Sequence, residues 1–230
     1  MYTYRLIDTG VFSILDDNVQ MFLIVGNKEA LLLDSGYGSG ELKAYLKGLY
    51  DGPITLAHTH AHYDHVGGDG EFDEIWAHPG DWNELMENGV QKEKLRELHE
   101  GDRFELGGRT IVVRETVGHS PGSLSFADEE NGLLFVGDNV SASTIWMCMP
   151  GADFEQYQKS LEWTLAQESW VKKYICCHGE PVQNAVQVRQ VIACAQAVRE
   201  GRVETPPFNA YDDVYFKKAV LGTASMYLPL

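Results

Sequence analysis

Four times in this chain a short apolar run ends on a histidine or an aspartate. Ile54-Thr55-Leu56-Ala57 leads into His58-Thr59-His60-Ala61-His62-Tyr63-Asp64-His65. Thr110 to Val117 leads into Gly118-His119, Leu133 to Val136 into Gly137-Asp138, and Tyr174 to Cys177 into His178. Short β-branched and apolar runs bounded by Gly, Pro or Asp read as buried strands. Taken singly, the last three are ordinary strand ends. Together they describe one edge of a sheet core, where side chains from several strand ends meet, as α/β proteins build their sites. Leu31-Leu32-Leu33 likewise stops at Asp34, a carboxylate equally suited to a turn or to such an edge.

The loop after residue 57 is the densest of these points. Four of the eight histidines of the chain fall between positions 58 and 65. In extended backbone, residues two apart point the same way, so His60 and His62 can converge on one point. Asp64 and His65 follow once the chain has begun to turn and can serve a neighbouring point. Gly67 and Gly68 let the backbone fold back beside the cluster. Neutral imidazole and carboxylate together suit zinc and other first-row metals.

The remaining pattern is that of one α/β domain spanning residues 1–230. Strands are expected at 4–7, 11–14, 19–25 and 30–33, at 74–77, and as a hairpin of 123–127 with 133–136 across Asp128-Glu129-Glu130-Asn131-Gly132. Helical spacing appears at 41–50, at 154–167 behind a capping Asp153, and at 183–199. Residues 80–99 read as a charged, mostly helical covering segment with a break at Asn88-Gly89. His78, before Pro79, reads as a strand-end residue more readily than as a ligand. Residues 201–230, with Pro206-Pro207 and no clear period, read as an irregular tail.

Charge and cysteine usage narrow the partners. Acidic residues number 34 against 18 basic, a net charge of -16, and such a field repels phosphate backbones. A small-molecule substrate is expected, with no nucleic acid and no membrane, and a homodimer is an open option. No run approaches the length of a membrane span. The start of the chain carries no basic segment followed by an apolar one, so no signal peptide is expected. Four cysteines, two of them adjacent, offer no disulfide framework, and a cytoplasmic location is the expectation.

With these residues in hand, the chain resembles the metallo-β-lactamase fold family. The resemblance runs from Asp34 to His178, with His60-x-His62-x-Asp64-His65 as its most specific motif. It implies a four-layer αβ/βα sandwich with two divalent metal ions at its open edge, zinc ahead of iron or manganese. It places His60, His62 and His119 on the first metal and Asp64, His65 and His178 on the second. Asp138 would bridge both, and Asp34 would support the site from behind. Two metals sharing one water, whose pKa falls from about 15.7 to about 7, would generate a bridging hydroxide at neutral pH. Asp64 is the residue expected to orient it and pass a proton to the leaving group. His58 is left outside the ligand set, as a supporting residue.

Among the branches of that family, Asp138 stands where the Cys-using antibiotic hydrolases carry a Cys. His62 stands where the diiron redox branch carries an acid. The core is similar to hydroxyacylglutathione hydrolases, without their larger C-terminal helical region. Residues 139–150 depart from those enzymes and end in an apolar wall, either core, dimer contact or pocket lining. A binuclear hydrolase of a small ester-like bond (thioester, lactone or related acyl compound) is the expected function. The alternatives are a diiron redox enzyme, a phosphodiesterase or β-lactamase-type hydrolase, and a metal protein without turnover.

Overall fold

In the computed structural model, which describes residues 1–211 and 214–230, each of those apolar runs lies in a strand or reaches just past one. Strands β1 (Thr3–Asp8), β2 (Val11–Asp16), β3 (Val19–Val25) and β4 (Ala30–Leu33) form an antiparallel meander. Helix α1 (Leu42–Lys47) then brings the chain back to β5 (Ile54–Ala57), parallel to β4. β6 (Ile75–Ala77) and, after α2 (Trp82–Glu87), β7 (Leu95–Glu97) continue this parallel half and complete a seven-stranded sheet.

The second half repeats the scheme. β8 (Arg103–Glu105), β9 (Thr110–Glu115), β10 (Leu124–Asp128) and β11 (Leu133–Gly137) pair antiparallel, while β12 (Thr144–Trp146) leaves for a third sheet. Helix α3 (Phe154–Ala166) crosses to β13 (Lys173–Cys176), parallel to β11, and β14 (Val182–Gln183) closes the six-stranded second sheet. Helix α4 (Ala185–Arg199) leads to β15 (Pro207–Tyr211), β16 (Val214–Leu221) and β17 (Ala224–Leu228). These form a four-stranded sheet in the order β12-β17-β16-β15.

The two larger sheets face each other. Leu31 and Leu33 of β4 point inward to a core shared with Phe22, Val113, Phe126, Phe135 and Ile175. Ala30 and Leu32 of the same strand point outward, onto Leu42 and Leu46 of α1. The alternation is the two-residue repeat of a strand, and burial on both faces explains why the run is apolar throughout. On the far side, Tyr157 and Leu161 of α3 and Val188 and Val191 of α4 cover Leu134, Val136 and Tyr174. Helix, sheet, sheet, helix is the four-layer αβ/βα sandwich expected. Among the described residues no helix is long and apolar enough to cross a membrane.

Asp153 caps α3 as its spacing predicts, its Oδ1 accepting from the amides of Glu155 at 2.9 Å and Gln156 at 3.0 Å. Two stretches differ from expectation. Within 80–99 only Trp82–Glu87 is α-helical; Gly89, at φ +93°, ends that segment, and buried Leu95 draws the next residues into edge strand β7. Charged Arg96 and Glu97, which suggested a solvated helix, belong instead to an edge strand, where charge discourages further pairing.

The expected irregular tail at 201–230 is three strands over much of its length. Its period was hidden because each face mixes apolar and polar residues. Ala219 and Met226 pack toward α4, while Phe208, Phe216 and Tyr227 form an aromatic group with Trp146 of β12. A sheet of that kind shows no apolar–polar alternation.

Candidate metal centre

β9, β11 and β13 run in one direction, as do β4 and β5, so their C-terminal ends supply one edge of the sandwich. Three backbone links tie the two sheets together there. Leu124 donates to the Thr59 carbonyl at 2.7 Å, Gln20 donates to the Cys177 carbonyl at 2.9 Å, and Val19 forms an isolated bridge with His178. His119 is delivered by Gly118, whose φ of +133° is open to glycine. A Cβ at Gly118 would also lie 2.2 Å from the Tyr157 amide nitrogen, at the start of α3.

All seven residues named from the sequence meet at this edge. One donor atom each from His60, His62 and His119 lies within 4.8 Å of the others, and the same holds for Asp64, His65 and His178. Asp138 reaches toward both groups, its Oδ2 lying 3.7 Å from His119 Nε2, 3.8 Å from His65 Nε2 and 3.3 Å from His178 Nε2. Asp64 Oδ2 stands 3.3 Å from His178 Nε2. The His60 and His65 ring centroids are 4.0 Å apart, which joins the two groups.

Hydrogen bonds on the outer side of these rings fix which nitrogen faces inward. His65 donates Nδ1–H to Asp34 Oδ2 at 2.9 Å, and His178 donates Nδ1–H to the Asn18 carbonyl at 2.9 Å, leaving both Nε2 atoms turned to the centre. His60 Nδ1 meets Thr59 Oγ1 at 3.1 Å, and that hydroxyl donates to Asp34 at 2.8 Å. Asp34 also accepts from the Thr59 amide at 2.7 Å. It holds this position with φ at +64°, a left-handed conformation unusual for a residue with a side chain.

Three inner atoms lack partners, while two others contact each other. His60 Nε2, His65 Nε2 and Asp138 Oδ1 are buried with no hydrogen bond among the described residues, and His62 Nδ1 faces His119 Nε2 at 3.1 Å. Orphaned buried polar atoms are rare in folded proteins because each costs the desolvation of that group. Here they converge, and a cation would satisfy them together.

Electrostatics agree with this donor set. Burial, with the neighbouring imidazoles, holds His60 well below its ordinary value and pushes His62 down to about 3. Burial likewise takes His119 to about 4, against the pull of Asp138. These shifts favour the neutral form of these three rings, the form that binds a cation. His65 and His178 go the other way: burial opposes their charge, but Asp64, Asp34 and Asp138 raise His65, and Asp138 raises His178 to about 10. The carboxylates thus draw protons onto the rings in the place a cation would take. Residues present therefore fit a divalent metal.

Sequence reading left several contributors without a role. Asp81, buried just before α2, accepts from the amides of Ala61 at 3.1 Å and Gly122 at 2.6 Å and from Ser120 Oγ at 2.7 Å. It staples the loop carrying His60 and His62 to the loop carrying His119. His58 lies outside the two donor groups, its ring between Asp34 and Asp69. His78 stands off the centre, accepting the Gly80 amide on Nδ1 at 3.0 Å and capping a turn. The stretch at 139–150 divides: Ile145 and Met147 are core, while Trp146 and Met149 line the cavity over the centre. That cavity, of about 350 Å³, also touches Tyr37, Tyr63, Thr144 and Tyr227 together with His62, Asp64, His119, Asp138 and His178.

The family model of the metallo-beta-lactamase superfamily matches residues 14–178. The chain belongs to that superfamily. It is accordingly a metal-dependent hydrolase, with the divalent-metal binding that membership implies. Among superfamily members, the acyl-coenzyme A thioesterase MBLAC2 of Gallus gallus is 27% identical over 205 residues, covering 70% of this chain and 74% of its own. A hydroxyacylglutathione hydrolase of Xylella fastidiosa (strain 9a5c) is 28% identical over 212 residues, covering 84% and 76%. A metallo-beta-lactamase from Pontibacter korlensis shares the fold at a TM-score of 0.76 and 17% identity, over 85% of this chain and 99% of its own.

Proposed function

We propose that this superfamily member is a binuclear thioester hydrolase. The observation that carries the reading is the shared Asp138: two donor groups, each with three further ligand-type residues, adjoin one carboxylate beneath a cavity large enough for a small ester. His60, His62 and His119 would hold one cation, Asp64, His65 and His178 the other, with Asp138 between them. The thioesterase and hydroxyacylglutathione hydrolase activities of the relatives support a thioester as the bond cleaved.

Two divalent cations, zinc first, would supply Lewis acidity and an attacking water that ionises near neutral pH. The chain supplies the rest. Asp64 is ionised at neutral pH: burial would raise its pKa, but His65 and a hydrogen bond with His178 hold it below the ordinary carboxylate value. In this reading it orients the water and passes the proton to the departing sulfur. Asp34 and the Asn18 carbonyl keep the two rings on the Asp64 side in the tautomer that leaves Nε2 free. Trp146, Tyr227 and Tyr37 restrict water around the acyl group.

The test is elemental analysis of the purified protein followed by a panel of thioesters, lactones, β-lactams and phosphodiesters with the metal-loaded enzyme. About two cations per chain and turnover concentrated on thioesters is the expected result. A single bound cation, or turnover confined to another class, would overturn the reading.

A further inference from the structure

The aromatic sheet that replaces the expected irregular tail abuts the cavity. Paired residues on neighbouring strands share a face. The pairs Thr144 with Ser225, Trp146 with Tyr227, and Lys218 with Tyr227 therefore place these side chains on one side of the C-terminal sheet. Thr144, Trp146 and Tyr227 line the same cavity as Asp64, Asp138 and His178, so the face is continuous with the catalytic centre.

Its chemistry is specific. The Trp146 and Tyr227 rings meet edge to face at 4.6 Å, and Phe208 stacks on Tyr227 at 5.3 Å. Across the cavity, Tyr37 and Tyr63 form a second aromatic pair at 5.8 Å. Lys218 Nζ lies 4.5 Å from the Phe208 ring centre and 5.2 Å from that of Tyr227, a cation engaged by two ring faces. Among the described residues that line the cavity there is no lysine or arginine. A carrier thiol bearing carboxylates or phosphates meets no basic side chain among these lining residues, Lys218 standing on the same sheet face but not among them, whereas an apolar group meets the rings of both aromatic pairs.

Resting on the thioester reading above, we propose that the C-terminal sheet is the acyl-binding wall, with Trp146 and Tyr227 determining specificity. It selects a thioester by a bulky apolar acyl group, a ring or an extended hydrocarbon chain, rather than by an anionic thiol carrier. In the reaction water adds to the carbonyl carbon, the carbon–sulfur bond breaks, and the products are the carboxylic acid and the free thiol. No other reactant is consumed. One methylene in an apolar pocket already shifts specificity about tenfold or more.

Acetyl, hexanoyl and benzoyl esters of N-acetylcysteamine, an uncharged thiol, test this with the metal-loaded enzyme. The kcat/KM for hexanoyl or benzoyl should exceed that for acetyl at least tenfold, and hexanoyl-glutathione should be no better than hexanoyl-N-acetylcysteamine. Trp146→Ala should flatten the hexanoyl-to-acetyl ratio at least fivefold. A flat acyl series in the unaltered enzyme, or a preference set by glutathione, overturns the inference and leaves the thioester reading standing. If no thioester turns over, that reading falls instead. The wall is then judged by calorimetry with metal-free protein, where S-hexyl-N-acetylcysteamine, a thioether, should bind at least tenfold tighter than its S-methyl analogue. Equal affinities overturn the inference.

Discussion

His58 Nε2 lies 2.9 Å from Asp69 Oδ1 and 3.0 Å from Oδ2, in a buried line that continues through His58 Nδ1 to Asp34 at 3.4 Å and from Asp34 to His65 at 2.9 Å. Ser35 Oγ donates to the same Asp69 at 2.7 Å. An imidazole between two carboxylates fixes both. Asp34 in turn fixes the tautomer and the direction of His65.

Outer partners of this kind typically change metal affinity by about 10- to 100-fold when removed. Asp69→Asn keeps the shape and removes the charge, so it should weaken the binding of added zinc by about tenfold. Competition with a chromogenic chelator measures this directly. Unchanged affinity would mean that the line ends at Asp34.

Asp81 gathers three donors from two loops, and its side chain is buried. Asp81→Ala leaves those donors unsatisfied, at about 1–3 kcal/mol each when buried, part of it relieved by relaxation. A total loss of about 3 kcal/mol corresponds to a fall in melting temperature of about 6–12 °C for a chain of this size. Calorimetry should record that fall, and the binding of an added divalent metal should weaken with it because His119 is no longer tied to the loop of His62.

Asp64→Asn is isosteric, and its side chain borders the cavity rather than the core. Melting should stay close to that of the parent. Turnover should fall by about 10²- to 10⁴-fold, the range associated with a positioned acid–base group. A variant that retained full kcat would remove Asp64 from the proton path.

Glu84 on α2 is half-buried, and its pKa is raised to about 7, by burial first and then by Asp81, Glu87 and Asp64. The folded protein thus holds this proton more tightly than the unfolded chain, whose carboxyl titrates near its ordinary value. Below that ordinary value both states are protonated and the group is neutral in effect. As pH rises toward 7, ionisation favours the unfolded chain, so stability is lost across this window. Glu84→Gln should therefore melt higher than the parent at pH 8 and equal to it at pH 4.5. A benefit of the same size at both values would point to helix propensity instead.

Strands β4 and β11 were readable because each is buried on both faces and so appears as an unbroken apolar run, and β5, β9 and β13 because a shorter apolar stretch of that kind lies within them. The His60–His65 motif was readable because its spacing is local. The partition of 80–99 was not, since buried Leu95 pairs with Ile75 from a distant part of the chain. Asp81 was equally opaque: its three donors lie 20, 39 and 41 positions away.

From the sequence alone came the strand ends that carry ligand-type residues and the dense His60–His65 loop, because periodicity and local spacing act within a few residues, while the sandwich and the seven-donor set came from the resemblance to the metallo-β-lactamase family. Tertiary structure alone decided that Asp81 ties the loop of His62 to that of His119, that Asp69 backs His58, and that Phe208, Phe216 and Tyr227 group with Trp146. Those relations depend on distances between segments that are remote along the chain. Packing of the two sheets, rather than any local preference, sets them.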